Sequence, residues 1–173
     1  MRPGQLVIRS GGQTGVDRAA LDCAIARSLP YAGWCPRGGG AEDLPDPPGV
    51  LAIYLHLVET PSSVPEQRTA WNVRDSHATL IILGAAGLDA SPGTKLAVTC
   101  AQAIFQRPFH VADTALPGAE RDAKEWLARI FESIEPSEMD PIVLNVAGPR
   151  ESECPGVYLK ARRFIAELLE ICR

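Results

Sequence analysis

The sequence contains no apolar run of the ~18 residues that a membrane-spanning helix requires, and its mean hydropathy is −0.01. No contact with a membrane is therefore expected. The N-terminal segment MRPGQLVIRS enters an apolar strand pattern almost at once, which leaves no room for the apolar core of a secretory leader. The expected location is the cytoplasm.

The chain also lacks an excess of positive charge. It carries 17 Lys and Arg residues against 21 Asp and Glu residues, a formal net charge of −4, and its isoelectric point is near 5.4. Nucleic-acid binding without sequence preference needs a basic face, so nucleic acid is not an expected partner. An anionic ligand would have to be held by a local concentration of donors, because the overall field does not attract it.

Metal-binding and redox motifs are missing as well. The 5 cysteines are spread widely, and none belongs to a C-x-x-C pair, the spacing typical of zinc and dithiol sites. Cys23, Cys100 and Cys172 fall in apolar helical patterns and are predicted to fill small spaces in the core. The 3 histidines show no ligand spacing to one another or to a cysteine. No structural metal is expected.

The sequence does contain a regular alternation of short apolar segments and helical patterns. This alternation predicts a Rossmann-like α/β fold, a three-layer sandwich with a mostly parallel sheet, in a single domain that spans residues 1–173. Six strands are predicted, at Leu6–Ser10, Tyr31–Cys35, Val50–Glu59, Ala78–Gly84, Phe109–Asp113 and Pro141–Gly148. The continuous apolar run over 78–84 is typical of a central strand that is covered on both faces.

Ligands of such sheets bind in the crevice beyond the carboxyl ends of the strands, and unusual residues follow the predicted strands repeatedly. The first strand leads into a turn before a predicted helix, and the turn residues are Gly11, Gly12, Gln13, Thr14 and Gly15. Glycine lets a ligand approach the backbone, and amides at a helix start favour an anion. The alternative is that Thr14 or Asp17 only caps the helix, and the turn taken alone favours neither interpretation.

Three further loops carry candidate ligand-binding residues. Ser91, Gly93 and Thr94 form a second helix start, after the central strand, where capping by Ser91 is the competing interpretation. Arg37 precedes three glycines after the second strand, and Arg150 follows the sixth strand. These two arginines are included because an anionic ligand of an acidic protein needs local positive charge.

The segment RTAWNVRDS lies at the amino end of the central strand, away from the predicted site. Asn72, Arg74 and Asp75 are therefore expected to make structural hydrogen bonds and ion pairs. No nucleophile with an adjacent base is evident, since the sequence has no G-x-S-x-G motif and no Cys–His spacing. Several acids could serve as a general base, and nothing singles one out.

Four blocks of sequence carry a resemblance to a known family. They are SGGQTGVDRAALDCAI, AGWCPRGGGAEDL, EQRTAWNVRDSHATLII and LNVAGPRESECPGVY, in order between Ser10 and Tyr158. Together they resemble the molybdenum cofactor carrier proteins, the circularly permuted YpsA-like branch of the SLOG superfamily. The resemblance implies a Rossmann-like fold that binds a nucleotide-like or pterin-phosphate ligand. It would place Gly11, Gly12, Thr14 and Gly15 at one phosphate-binding corner, and Gly93 and Thr94 at another.

The superfamily also contains phosphoribohydrolases related to the lysine decarboxylase-like proteins. In those enzymes a P-G-G-x-G-T-x-x-E block supplies phosphate contacts and a catalytic glutamate. The corresponding stretch here is SPGTKLAVT, in which Ala97 stands where the glutamate would be. This departure counts against hydrolysis and favours binding without catalysis.

Three hypotheses about function follow from the residues and the resemblance. The first is a carrier or storage protein for molybdenum cofactor (molybdopterin), with molybdoenzymes or cofactor-synthesis proteins as its partners. The second is a hydrolase that acts on a nucleotide-derived ligand, and the third is a nucleotide-sensing module. The resemblance also implies a homo-oligomer, a dimer or a tetramer, and the apolar stretch 50–58 is one candidate interface.

Overall fold

A computed structural model describes residues 5–134 and 140–172 of the chain, without the side chains of 171 and 172. Six strands form one sheet, and every strand pair within it is parallel. The strands are β1 (Leu6–Arg9), β2 (Tyr31–Cys35), β3 (Leu57–Glu59), β4 (Ala78–Leu83), β5 (Phe109–Asp113) and β6 (Ile142–Ala147). The order across the sheet is β3-β2-β1-β6-β4-β5. The predicted Rossmann-like α/β fold is confirmed.

Five α-helices cover the two faces of this sheet. They are α1 (Val16–Ala26), α2 (Pro65–Arg74), α3 (Pro92–Thr99), α4 (Ala119–Ile134) and α5 (Val157–Leu168). A π-helical turn, Cys100–Ile104, extends α3, and short 3₁₀ helices occupy Gly49–Ala52, Leu88–Ala90 and Leu169–Cys172. One large apolar cluster joins the sheet to α1, α4 and α5, whereas a smaller cluster lies under α2 and α3.

Strand β4 is an interior strand, between β6 and the edge strand β5, and all six of its residues are buried. Strands β5 and β6 pair with its two edges, and helices lie on both of its faces. A continuous apolar run is the pattern expected of such a strand. The prediction of a strand covered on both faces is therefore confirmed for Ala78–Leu83, and Gly84 lies just beyond it. The central position of the strand is not confirmed, because β4 lies second from one edge of the sheet.

The prediction of one long strand over Val50–Glu59 is wrong. Gly49, at φ +52°, begins a short 3₁₀ helix, and only Leu57–Glu59 pair with β2. Val50 and Tyr54 are both buried because a spacing of four residues points them to the same side of a helical turn. Ile53 and Leu55 between and beside them are exposed. The apolar run therefore reflects one buried turn, not a ten-residue strand.

The predicted small core positions of Cys23 and Cys100 are confirmed, since both thiols are free and buried. The side chain of Cys172 lies outside the described residues. Among the residues that the structure describes, no helix is long and apolar enough to cross a membrane, and no group of three His, Cys, Asp or Glu side chains is placed to hold a metal ion.

Two glycines of the predicted site make a matched test of the fold. A Cβ at Gly15, where φ is +74°, would lie 2.4 Å from the Pro149 carbonyl oxygen, whereas a Cβ at Gly93 would meet no atom within 4 Å. Gly15→Ala should lower the free energy of unfolding by about 1–3 kcal/mol through backbone strain alone. Gly93→Ala, in the first turn of α3, should raise it by up to about 1 kcal/mol. Urea unfolding of both variants measures this difference, and equal stabilities would contradict it.

Candidate functional site

The carboxyl ends of β1, β4 and β6 lie side by side at the middle of the sheet. From β1 the chain proceeds outward through β2 to β3, and from β4 it proceeds outward to β5 on the other side. This reversal of direction opens a crevice at the carboxyl edge of a parallel sheet, the usual ligand-binding position of such folds. The loops that follow β1, β4 and β6 meet there.

The turn after β1 owes its shape to contacts within the protein. A Cβ at Gly11 would lie 2.1 Å from the Nη1 atom of Arg68, and Gly15 lies against the backbone of Pro149 and Arg150. The amide oxygen of Gln13 accepts hydrogen bonds from the backbone N–H groups of Thr14 at 3.0 Å and Glu42 at 2.9 Å. Both glycines are therefore explained by close packing of neighbouring segments.

Thr14 joins this turn to two other loops. Its hydroxyl donates to the carboxylate of Glu42 and accepts from the backbone N–H of Glu151 at 3.1 Å. The Glu42 carboxylate also accepts from the hydroxyl of Ser152 at 2.5 Å and its backbone N–H at 3.3 Å. Partial burial alone would raise the pKa of the Glu42 carboxyl, but the hydrogen bonds from Ser152 and Thr14, with the nearby Arg150 charge, lower it. Three loops are thus tied at one carboxylate.

The second predicted corner, at the start of α3, has a capping role. The hydroxyl of Ser91 accepts from the backbone N–H of Thr94 at 3.2 Å and from the Thr94 hydroxyl at 2.7 Å. Both side chains are buried, whereas Gly93 is exposed. Ser91 therefore caps the helix, as the competing interpretation of this stretch proposed.

A buried ion pair lies beneath the first corner. The Nη1 atom of Arg68 is 2.8 Å from the Oδ2 atom of Asp17, and the exposed fractions of the two side chains are 13% and 5%. Burial raises the pKa of the Asp17 carboxyl above its usual value, although Arg68 works against that rise. Within the described ranges the Nε atom of Arg68 is buried without a hydrogen-bond partner. One donor of this guanidinium is therefore unsatisfied next to the crevice.

The crevice itself is small, with a volume of about 30 Å³. Its lining includes five of the predicted site residues, Gln13, Ser91, Gly93, Thr94 and Arg150, together with Asp17, Arg68 and Glu153. The Nε atom of Arg150 lies 3.4 Å from a carboxylate oxygen of Glu153. Two guanidinium groups and two carboxylates balance the charge, and the space corresponds to about one water molecule.

Arg37 lies apart from this crevice. Its side chain is exposed in the loop after β2, beside a separate surface cavity of about 280 Å³ that it shares with Gln13. Its backbone N–H donates to the carbonyl oxygen of Ser62 at 2.9 Å. The loop thus places Arg37 at this separate cavity and not at the crevice that Arg150 lines.

A much larger cavity opens on the α1 and α5 side of the same loops. This cleft has a volume of about 590 Å³, and Thr14, Gly15, Glu42 and Glu151 line its boundary with the loops. Its remaining walls come from α1, from the loop after β2, from the residues that follow the 3₁₀ helix Gly49–Ala52, and from the start of α5. The side chains there that carry hydrogen-bonding groups are Arg18, Asp22, Asp43, Tyr54 and Tyr158.

The sequence interpretation missed the wall residues of this cleft. Arg18 and Asp22 follow Thr14 at intervals of four residues, which is the spacing that places side chains on one face of a helix. That spacing is the one sequence pattern that indicated a shared face for Arg18 and Asp22 next to Thr14. The two tyrosines gave none, since Tyr54 and Tyr158 are more than 100 residues apart and meet only at Asp22, each donating to one of its oxygens at 2.7 Å.

The WNVRDS segment makes the predicted structural hydrogen bonds. The Asn72 side chain pairs with the backbone of Trp34 at 2.8 and 2.9 Å, and the Trp34 indole N–H donates to Asp75 at 2.7 Å. Arg74 lies 2.6 Å from the Asp75 carboxylate and 4.4 Å from the centre of the Trp71 ring. Trp34 packs edge-on against Trp71, so it serves this network and lines neither the crevice nor the cleft.

The fold and the loop arrangement together define a Rossmann-like α/β protein with its cavities at the carboxyl edge of the sheet. A model of the circularly permuted YpsA SLOG family matches residues 8–169, and the chain belongs to this family.

A solved structure gives a second comparison. The crystal structure of the "Putative molybdenum carrier protein" from Syntrophus aciditrophicus SB is 34% identical in sequence and superposes with a TM-score of 0.74. The match covers 97% of this chain and 94% of that protein. Comparison with curated proteins gave no significant match.

Removal of one partner should expose the electrostatics of the buried Asp17–Arg68 pair. Arg68→Met leaves the Asp17 carboxylate buried without its cation, so we expect a loss of about 3–5 kcal/mol at neutral pH. The folded-state pKa of Asp17 should rise further above its unfolded value of about 3.9. A raised folded-state pKa means that stability falls as pH increases through that pKa. Urea unfolding near pH 8 should therefore show a larger loss than unfolding near pH 5.

The double variant Asp17→Asn with Arg68→Met serves as the control. It removes both charges, so its loss of stability should be smaller and nearly independent of pH. A single-variant loss that is equal at both pH values would rule out an ionised Asp17 as the source of the penalty.

Proposed function

We propose that the protein binds a small ligand with an anionic group, a nucleotide or a pterin phosphate, at the crevice between β1, β4 and β6. One observation carries this proposal: the loops after these three strands converge with two guanidinium groups, Arg68 and Arg150, on one cavity. Amides at the starts of α1 and α3 lie at the same edge, and helix starts favour anions.

Binding at the crevice requires a local rearrangement. A phosphate group is larger than the present 30 Å³, so one wall has to move. The Arg150–Glu153 pair is the weakest part of that wall, because Arg150 is 35% exposed and its contact with Glu153 is 3.4 Å long. Exchange of the Glu153 carboxylate for a ligand phosphate would keep Arg150 paired and open the cavity.

Ala97 supports a protein that binds its ligand without catalysing a reaction. This residue stands where related phosphoribohydrolases have a catalytic glutamate, and here its side chain is buried in the apolar cluster under α2 and α3.

The name of the solved relative, a molybdenum carrier protein, supports molybdenum cofactor as the cargo. Among the described residues, no group of three His, Cys, Asp or Glu side chains is placed to bind a metal ion. The protein would therefore bind the cofactor through its phosphate and its pterin ring. Molybdoenzymes or cofactor-synthesis proteins are the proposed partners, in the cytoplasm.

A second candidate function is hydrolysis of a nucleotide-derived ligand, and one observation favours it. Asp17 lines the crevice, and burial raises the pKa of its carboxyl. Carboxyl groups with raised pKa values in cavities are typical of general acids and bases. Release of the free base from guanosine monophosphate, followed by chromatography, would favour this function over the carrier role.

A homo-oligomer is also part of the proposal. The apolar stretch 50–58, a candidate interface on sequence grounds, exposes three large apolar side chains. They are Ile53, Leu55 and Val58, which are 52%, 77% and 54% exposed. A second copy of the chain is the proposed occupant of this apolar surface.

Native mass spectrometry of the protein purified without oxygen, with elemental analysis of the same sample, tests the cargo. A bound pterin phosphate with stoichiometric molybdenum supports the carrier role. A bound nucleotide without metal favours the sensing or hydrolytic role.

Arg150→Ala should weaken binding of guanosine monophosphate by about tenfold, because a charge-assisted hydrogen bond to the phosphate is lost. Binding of phosphate-free guanosine should not change. Arg163→Ala is the matched control, since Arg163 is an exposed arginine on α5 that pairs with Glu167. Calorimetric titration gives the affinities. Equal affinities of the two variants for the monophosphate would contradict a phosphate at the crevice.

Leu55→Glu should shift the protein toward the monomer in equilibrium sedimentation at micromolar concentration, because a charge at an apolar interface is costly to bury. Leu116→Glu is the control, as Leu116 is 62% exposed on another loop. A monomeric wild-type protein would contradict the oligomer, and a shift in both variants would contradict this interface.

A further inference from the structure

The cleft on the α1 and α5 side has the dimensions of a small-molecule site. Its volume of about 590 Å³ falls within the roughly 300–1,000 Å³ of typical ligand pockets. It adjoins the crevice directly, because neighbouring residues line the two cavities. Gln13 and Arg150 line the crevice, and Thr14 and Glu151 line the cleft.

The charges of the cleft differ from those of the crevice. Four carboxylates line it, from Asp22, Glu42, Asp43 and Glu151, against the single guanidinium of Arg18. A phosphate is disfavoured in such surroundings, whereas N–H donors are favoured, since ionised carboxylates only accept hydrogen bonds. The cleft therefore suits the part of a ligand that carries no anionic group.

Two of the four carboxylates accept several hydrogen bonds from the surrounding protein. Glu151 accepts from the backbone N–H groups of Gly156 and Tyr158, at the start of α5. Glu42 has three donors from the surrounding loops. A third carboxylate, Asp43, forms two hydrogen bonds of 3.0 Å with Arg18. These three groups have evident structural partners.

Asp22 differs because two side-chain hydroxyl groups hold it in place. The Tyr54 and Tyr158 phenols each donate to one of its oxygens, and burial together with these bonds raises the pKa of both phenols. The phenols therefore keep their protons, and Asp22 remains the acceptor. Since a carboxylate has about four acceptor sites, each oxygen retains one for a ligand donor.

Arg18 adds a flat, fixed surface to the same cleft. Its guanidinium lies 5.8 Å from the centre of the Tyr54 ring, donates to the Gly12 carbonyl oxygen at 3.2 Å, and pairs with Asp43. A guanidinium held in this way is planar and only 14% exposed. Arginine planes stack well on aromatic rings.

We propose that the cleft binds a flat heterocycle with two adjacent N–H donors, recognised by Asp22 and stacked near Arg18. The 2-amino-4-oxopyrimidine edge shared by guanine and pterins presents this donor pair. The inference rests on the proposed function in one respect, namely that the ring belongs to the ligand whose anionic group enters the crevice. Adenine and cytosine do not present this donor pair.

Phosphate-free probes test the cleft separately from the crevice. Guanosine and inosine differ only in the 2-amino group, and pterin and lumazine differ at the same ring position. Calorimetric titration should show at least tenfold tighter binding of guanosine than inosine, of pterin than lumazine, or both. Preference within the first pair indicates a nucleotide ligand, and preference within the second indicates a pterin. No preference in either pair overturns the proposal.

Asp22→Asn should reduce the preference to less than threefold, because the amide offers a donor where the ligand also has one. Asp122→Asn is the matched control, an exposed aspartate on α4, and should leave the preference intact.

Arg18→Lys keeps the charge but removes the planar surface. It should weaken all four probes while their ratios persist, which supplies a test if Asp22→Asn fails to fold. An unchanged preference in folded Asp22→Asn, or unchanged affinities in Arg18→Lys, would overturn the assignment.

The two proposals can fail separately in these experiments. If Arg150→Ala weakens guanosine monophosphate and no probe pair shows a preference, the crevice function stands and the cleft inference falls. If the probes show the preference but the monophosphate binds no better than guanosine, the cleft inference stands and the anion site falls.

Discussion

The contact between the turn after β1 and the loop after β6 is the constraint on which both cavities depend. The Val16 backbone N–H donates to the Pro149 carbonyl oxygen at 3.2 Å, and Gly15 allows the two backbones to approach this closely. Gly148 serves the same approach from the other side, because a Cβ there would lie 2.6 Å from the side chain of Val16. The crevice lies on one side of this contact and the cleft on the other, so the glycines define the site through packing.

The pairing of β1 with β6, next to this contact, preserves the sheet in a permuted chain. If β6 is counted as the first strand and β1 as the second, the order across the sheet becomes 4-3-2-1-5-6. Consecutive strands then lie side by side except for the fourth and fifth, β3 and β4, between which the chain crosses to the other side of β6. In the present chain order, β1 and β6 come from opposite ends of the sequence, yet they pair over four residues. Hydrogen bonds such as the 2.7 Å bond from the Ser10 hydroxyl to the Val146 carbonyl oxygen reinforce that junction.

The sequence predicts the sheet well because buried parallel strands are short, continuous apolar runs, as Ala78–Leu83 show. It also predicts which loops meet, since the carboxyl ends of parallel strands share one edge. It does not predict what a hydroxyl or glycine there does: Ser91 is a helix cap, and Gly15 accommodates Pro149. The spacing of Arg18 and Asp22 hinted at one wall of the cleft, but its tyrosines were beyond the reach of local pattern. Tyr54, within the misassigned strand, and Tyr158, on α5, meet only in three dimensions.

Under the proposed function, the charge distribution links the two cavities into one site. A protein of net charge −4 cannot attract an anion by its overall field, so the crevice gathers Arg68 and Arg150 where two carboxylates already balance them. The neighbouring cleft has an excess of carboxylates, so an anionic group entering the site is favoured on the crevice side only. Glu42 and Thr14 lie at the boundary and bond to each other. A ligand with one anionic end and one donor-rich ring would therefore be oriented by charge before any close contact forms.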